Sequence, residues 1–166
     1  MVGSDETIEK ILGQLEIIFT VTNLGKCSHY LGVKIEYRSD GIFLSQSAYI
    51  RKIIATAKLT TAKASKTPLP MSHPIYEKIV KQTKKEEKEM DNKLFRNVLG
   101  ALLYLCTRTR PDIATAVSML SKFQSNPSPQ HWKMLKHVVR YLIGTENYGI
   151  LLPKTGEGLK CWVDAD

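Results

Sequence analysis

The sequence predicts an α+β fold, and three features carry that prediction. Residues 31–37 alternate strictly, with Leu31, Val33, Ile35 and Tyr37 separated by Gly32, Lys34 and Glu36; this is the period of two of a strand with one buried face. Asp40-Gly41 then reads as a turn, because glycine accepts the positive φ that tight hairpin turns demand, and Ile42 and Leu44 resume the alternation. Elsewhere, apolar residues recur at helical spacing in stretches before and after this hairpin.

Taken in order, the first helix is expected over 5–19, where Ile8, Ile11, Leu12, Leu15 and Phe19 share a face. Ser4 or Asp5 caps it, and Glu6 suits its positive end. Asn23-Leu24-Gly25 breaks the pattern, and the hairpin occupies 30–45. With Ser45 as cap, a helix over 46–58 buries Tyr49, Ile50, Ile53, Ile54 and Ala57. Pro68, Pro70 and Pro74 exclude a regular helix after it, and 81–93 is polar without an apolar stripe, so 59–93 reads as a solvated linker. Three helices follow. The first, over 92–107, carries Leu94, Val98, Leu102 and Leu105. The second is opened by Pro111, and the third has Ser128 as cap and Pro129 as first residue. Trp132, Leu135, Val139 and Leu142 face inward on the third, Gly144 stops it, and His131 is a helix-start residue. Strands over 148–152 and 159–163 close the chain. The core is expected within 92–145, with weaker order at both ends.

Composition narrows the function. An apolar content of 43% in 166 residues supports one folded domain or two small ones. Apolar runs such as 101–106 are too short to cross a bilayer, and residues 1–6 lack the basic and apolar regions of a secretory signal; no membrane role and an intracellular setting are expected. Cys27, Cys106 and Cys161 stand far apart and odd in number, which predicts reduced thiols rather than a disulfide framework or a zinc site. The net charge of +8 points to a polyanionic partner. Residues 1–60 are nearly neutral, whereas 94–145 hold Arg96, Arg108, Arg110, Lys122, Lys133, Lys136 and Arg140 against Asp112 alone, so nucleic-acid contact is expected in the C-terminal half.

A series of motifs runs along nearly the whole chain. It comprises Asn23-Leu24-Gly25, residues 30–35, 41–46, Tyr49-Ile50, Thr67-Pro68-Leu69, residues 100–105, 109–114, 140–145, and Asp164-Ala165-Asp166. In order and approximate spacing this series resembles the reverse transcriptases of copia-type retrotransposons. The resemblance implies the end of a polymerase palm with its primer-grip hairpin and first thumb helix in 1–58, and a linker in 59–93. It further implies a helical thumb and connection in 94–147, and the first hairpin of a ribonuclease H-like sheet in 148–166. It also implies that the chain begins just past the catalytic Tyr-Val-Asp-Asp hairpin, so that this piece is inactive alone.

Within that frame Tyr30, Leu31 and Gly32 resemble the primer grip, where a glycine lets another backbone approach. Arg108 and Arg110 are candidates for phosphate contact, since guanidinium meets phosphate as a fork. Asp112 is expected to have a structural role at the start of a helix. Lys133, Lys136 and Arg140, with His137, form a basic helix face suited to tracking a duplex backbone. Asp164 matches the first metal-ligating aspartate of ribonuclease H, with Asp166 a weaker match. One or two carboxylates do not make a two-metal site, so magnesium is expected in the complete parent enzyme and no cofactor for this chain alone. The expected partner is a primer/template, an RNA–DNA or DNA duplex. Two alternatives remain open at this point: a non-enzymatic nucleic-acid-binding protein derived from a retroelement, and a helical module that binds a protein. Oligomeric state is not readable from the residues.

Overall fold

The structure, a computed structural model, describes residues 3–70 and 91–156. The strand expected over 159–163, Cys161, Asp164, Asp166 and most of the expected linker (71–90) lie outside the described residues. Helix α1 (Asp5–Glu16) starts where the sequence places it: the Ser4 hydroxyl accepts from the Thr7 N–H, and Asp5 and Glu6 occupy the first turn. It stops before Ile17, Ile18 and Phe19, which are exposed, and none of its residues is fully buried.

Among the described residues, four antiparallel strands form one sheet in the order β1 (His29–Tyr30), β2 (Val33–Tyr37), β3 (Gly41–Ser45), β4 (Gly149–Pro153). The hairpin between β2 and β3 is as expected, but its loop is shifted by one residue. Arg38 and Gly41 exchange backbone hydrogen bonds of 2.8 and 3.4 Å, which leaves Ser39-Asp40 as the loop and Gly41 as the first strand residue. Glycine is needed at Gly41 for a different reason from the turn. β4 passes so close that a Cβ there would lie 2.2 Å from the Leu152 carbonyl oxygen. Gly149, paired with Ser45 at the other end of the ladder, is in the same position against the Leu44 carbonyl oxygen, at 2.1 Å. The strand expected to open a separate hairpin is thus the fourth strand of this sheet.

Helix α2 (Ser47–Thr56) follows β3 after the single residue Gln46, which takes the N-cap position while Ser45 stays buried in the strand. Helix α3 (Asn92–Arg108) is capped by Asp91, which accepts from the Lys93 and Leu94 N–H groups. Pro111–Ile113 forms a 3₁₀ turn that leads into α4 (Ala114–Ser121). Helix α5 (Pro129–Gly144) opens with Ser128 and His131 in a reciprocal capping box, which bears out both as helix-start residues.

The core joins all four of these helices. Ile50, Ile53, Ile54 and Ala57 of α2 pack with Phe95, Val98, Leu99, Leu102 and Leu105 of α3, with Ile113, Ala116, Val117 and Leu120, and with Leu135, Val138, Val139 and Leu142 of α5. The core therefore extends beyond 92–145 to include α2. Residues 59–70 also depart from the linker expectation: they lie along α5. Arg140 Nε donates to the Lys63 carbonyl at 2.7 Å, the Ser65 N–H donates to the Arg140 carbonyl at 3.0 Å, and His137 Nε2 sits 2.9 Å from Ser65 Oγ and 3.0 Å from the Thr67 carbonyl. A segment that leads into Pro68 and Pro70 cannot continue as a helix, but the polar side of α5 satisfies its backbone instead. Cys27 and Cys106 are free thiols. Among the described residues, no helix is long and apolar enough to cross a membrane.

Candidate nucleic-acid interface

The turn between β1 and β2 is the two-residue loop Leu31-Gly32, closed by the Tyr30–Val33 pair. Both loop residues have positive φ, 46° and 74°, the backbone of the tight turn whose twist matches that of the flanking strands. Gly32 adopts it freely. Leu31 does not, since a bulky side chain at positive φ is a genuine outlier. Its side chain and that of Tyr30 project into solvent, 63% and 65% exposed.

The protein holds this turn from behind. The Tyr104 hydroxyl of α3 donates to the Leu31 carbonyl, and Gln46 Nε2 donates to the Gly32 carbonyl at 3.4 Å. The Tyr104 ring meets the Tyr49 ring edge-on at 5.4 Å, and the exposed Arg108 guanidinium lies 5.6 Å from its face. Gln46 is buried, and its other end accepts from Thr109 Oγ1 at 2.9 Å. The structure thus brings Tyr30, Leu31, Gly32 and Arg108 into one neighbourhood.

Arg110 must be removed from the surface candidates. It is 1% exposed, and its guanidinium is engaged inside the protein. Nε and Nη2 grip Asp112 as a fork at 2.9 and 2.7 Å, while Nη1 and Nη2 donate to the carbonyl and hydroxyl of Thr145 at 2.8 and 2.7 Å. The Tyr141 and Tyr148 rings flank it. Asp112 also accepts from the Tyr141 hydroxyl at 2.9 Å. Burial pushes the Asp112 carboxyl up, but the Arg110 and Tyr141 hydrogen bonds outweigh that and hold it below the usual range. Asp112 is therefore structural, held by the Arg110 and Tyr141 side chains and by its own backbone N–H. Burial, and donation to Asp112, push the Tyr141 phenol up.

Lys133, Lys136 and Arg140 form a second group along α5. Lys133 is exposed, the Lys136 ammonium lies 5.8 Å from the Trp132 ring, and Arg140 clasps residue 63. The clasped segment carries two further exposed lysines, Lys63 and Lys66, beside this group; sequence reasoning left them in a linker. Tyr104, Gln46 and Thr109 were also missed. The available signal for Gln46 and Thr109 was a polar residue at a position where the neighbouring pattern demands burial. Among the described residues no three His, Cys, Asp or Glu side chains are grouped to hold a metal ion.

A family model described as "Reverse transcriptase (RNA-dependent DNA polymerase)" matches residues 1–71. The chain is 34% identical, over its full length, to the retrovirus-related Pol polyprotein from transposon TNT 1-94 of Nicotiana tabacum, of which it covers 13%. It is also 34% identical over 99% of its length to the corresponding polyprotein from transposon RE1 of Arabidopsis thaliana, of which it covers 11%. The chain belongs to the reverse transcriptases of copia-type retrotransposons. The same region occurs in a shorter relative: the uncharacterized mitochondrial protein AtMg00810 of Arabidopsis thaliana is 32% identical, and this reverse-transcriptase segment covers 67% of it. No solved structure matches the chain.

Proposed function

We propose that the chain is the primer- and template-handling segment of a retroelement RNA-directed DNA polymerase. In this reading α1 and the sheet finish the polymerase palm, the turn at Tyr30, Leu31 and Gly32 is the primer grip, and the helices from α2 onward are thumb and connection. Arg108, Lys133, Lys136 and Arg140 meet backbone phosphates, which position a duplex without reading its sequence. Asp164 belongs to the ribonuclease H site of the complete parent, where magnesium supplies the Lewis-acid chemistry of phosphoryl transfer. The segment grips nucleic acid and does not by itself add nucleotides.

The observation that carries this reading is the exposed Leu31, held in a strained left-handed conformation by Tyr104 and Gln46. Backbone strain of this kind persists where surrounding structure enforces it, and it clusters at sites of contact. The test is binding of the full-length chain to a labelled RNA–DNA hybrid at several salt concentrations. The expected result is an affinity that falls steeply with salt, by a log–log slope of about 0.9 for each phosphate contacted. Leu31→Gly, which relieves the strain but removes the projecting side chain, is expected to weaken binding without lowering thermal stability. Absence of hybrid binding at low salt would overturn the reading.

A second reading, a nucleic-acid-binding protein that works without a polymerase, is favoured by one observation. The chain covers 67% of the mitochondrial relative, so this segment exists in a protein far shorter than a polyprotein. Primer extension with the remaining polymerase segments supplied separately divides the two: restored extension on adding this chain selects the first.

A further inference from the structure

Lys34 and Glu36 of β2 and Arg38 immediately after it occupy alternate positions, so their side chains stand on one side of the sheet. Phe43 and Ser45, paired across the ladder with Glu36 and Lys34, share that side. Ser47 and Arg51 of α2 supply the facing wall of a cleft of about 550 Å³. His29 and Gly32 line it too, so it opens directly beside the strained turn.

The cations of this cleft are already on carboxylates of the same chain. Glu36 bridges Lys34 Nζ at 2.5 Å and Arg38 Nη2 at 2.7 Å, one oxygen to each. The Phe43 ring, 3.8 Å from the Arg38 guanidinium, keeps that side chain over the sheet. Arg51 on the opposite wall meets Glu146 at 2.6 Å. Hydrogen bonds from Lys34 and then Arg38 hold the Glu36 carboxyl at about 2, so it is an anion at any ordinary pH. Two cationic donors converging on two oxygens of one anion can also hold a phosphate. Exposed ion pairs contribute little net stability, so exchanging one anion for another here is nearly balanced.

We infer that this cleft is an anion site for the phosphodiester oxygens of a polynucleotide, and that Glu36 is a built-in competitor which the incoming phosphate displaces from Lys34 and Arg38. The source of the phosphate rests on the polymerase reading above; the anion site itself does not.

The test uses the full-length chain with two probes: an RNA–DNA hybrid followed by fluorescence anisotropy, and inorganic phosphate followed by the NMR signals of the arginine side chains. Glu36→Gln is expected to tighten both by about fivefold, the effect of one unit charge a few ångströms away in water. Glu9→Gln, the same charge change on α1, is expected to leave both unchanged. Lys34→Gln with Arg38→Gln should weaken both and erase the gain from Glu36→Gln. Unchanged or weaker binding by Glu36→Gln overturns the inference. If the hybrid binds and responds to Leu31→Gly but not to Glu36→Gln, the polymerase reading stands and this site falls. If the hybrid fails to bind while phosphate still tightens in Glu36→Gln, the anion site stands and the polynucleotide assignment falls.

Discussion

Arg110 illustrates how much a single side chain decides here. Its guanidinium joins the loop before α4 to the end of α5 through Asp112 and Thr145, with two tyrosine rings closing over it. Removing it takes away the forked donor of the partly buried Asp112 carboxylate, which keeps the Tyr141 hydroxyl, and one of the two donors of the Thr145 carbonyl, which keeps the Tyr148 N–H. Arg110→Ala is expected to destabilise the protein by about 3 kcal/mol in urea denaturation. Arg110→Lys should recover only part of that, because an ammonium cannot fork. The sequence could not distinguish this role from phosphate binding, since the residues read the same whether the guanidinium faces inward or outward. The following Pro111-Asp112 hinted at the truth by providing a carboxylate two residues away. Asp112 also sets a pH dependence. Its folded carboxyl is depressed, so its contribution is present above the unfolded carboxylate value and is lost as pH falls through the folded one.

Among the elements, the clasp of residues 63–67 on α5 is the least expected. A proline-rich polar segment reads as a linker, and no local pattern reveals that a histidine and an arginine on a distant helix will satisfy its backbone. His137 makes this clasp sensitive to acid. Burial, together with nearby Arg140, lowers the His137 pKa against the opposing effect of the Thr67 carbonyl. A depressed folded pKa means that stability is full above the ordinary histidine value and lost as pH falls. Wild-type protein is therefore expected to lose urea resistance as pH falls below about 6.5, with His137→Gln losing less. The sheet gives a second test. Gly149→Ala forces a Cβ against the Leu44 carbonyl oxygen, and an expected penalty of about 1–3 kcal/mol should appear with faster hydrogen exchange in β4. The hairpin itself was legible from alternation, and α5 from its cap. The β3–β4 pairing was not, because strand partners far apart in sequence leave no periodic trace.

For the whole molecule, one apolar core runs through α2, α3, α4 and α5, and the sheet is tied to it at two points. β3 passes into α2 through Gln46, and α5 passes into β4 through residues 145–148. Leu135→Ala, at the fully buried centre of α5, is expected to cost about 2–5 kcal/mol. Helical and sheet signals are then expected still to be lost in one transition, because both chain connections and the Tyr104 and Gln46 hydrogen bonds to the Leu31-Gly32 turn tie the sheet to the core helices. Family membership was readable because its motifs are spread along nearly the whole chain. Where those motifs meet in space was not, since the bracing contacts of Tyr104, Gln46 and Thr109 join residues 14 to 73 positions apart.

Gln46 has one further consequence. One end of its amide touches the Gly32 carbonyl and the other the Thr109 hydroxyl, and a planar amide neither stretches nor bends easily. A strand that pulls on the hairpin tip therefore pulls on the interior beside Arg110. Tension at that tip would reach the helical half as a mechanical load, divided between Gln46 and the Tyr104 hydroxyl on the neighbouring Leu31 carbonyl.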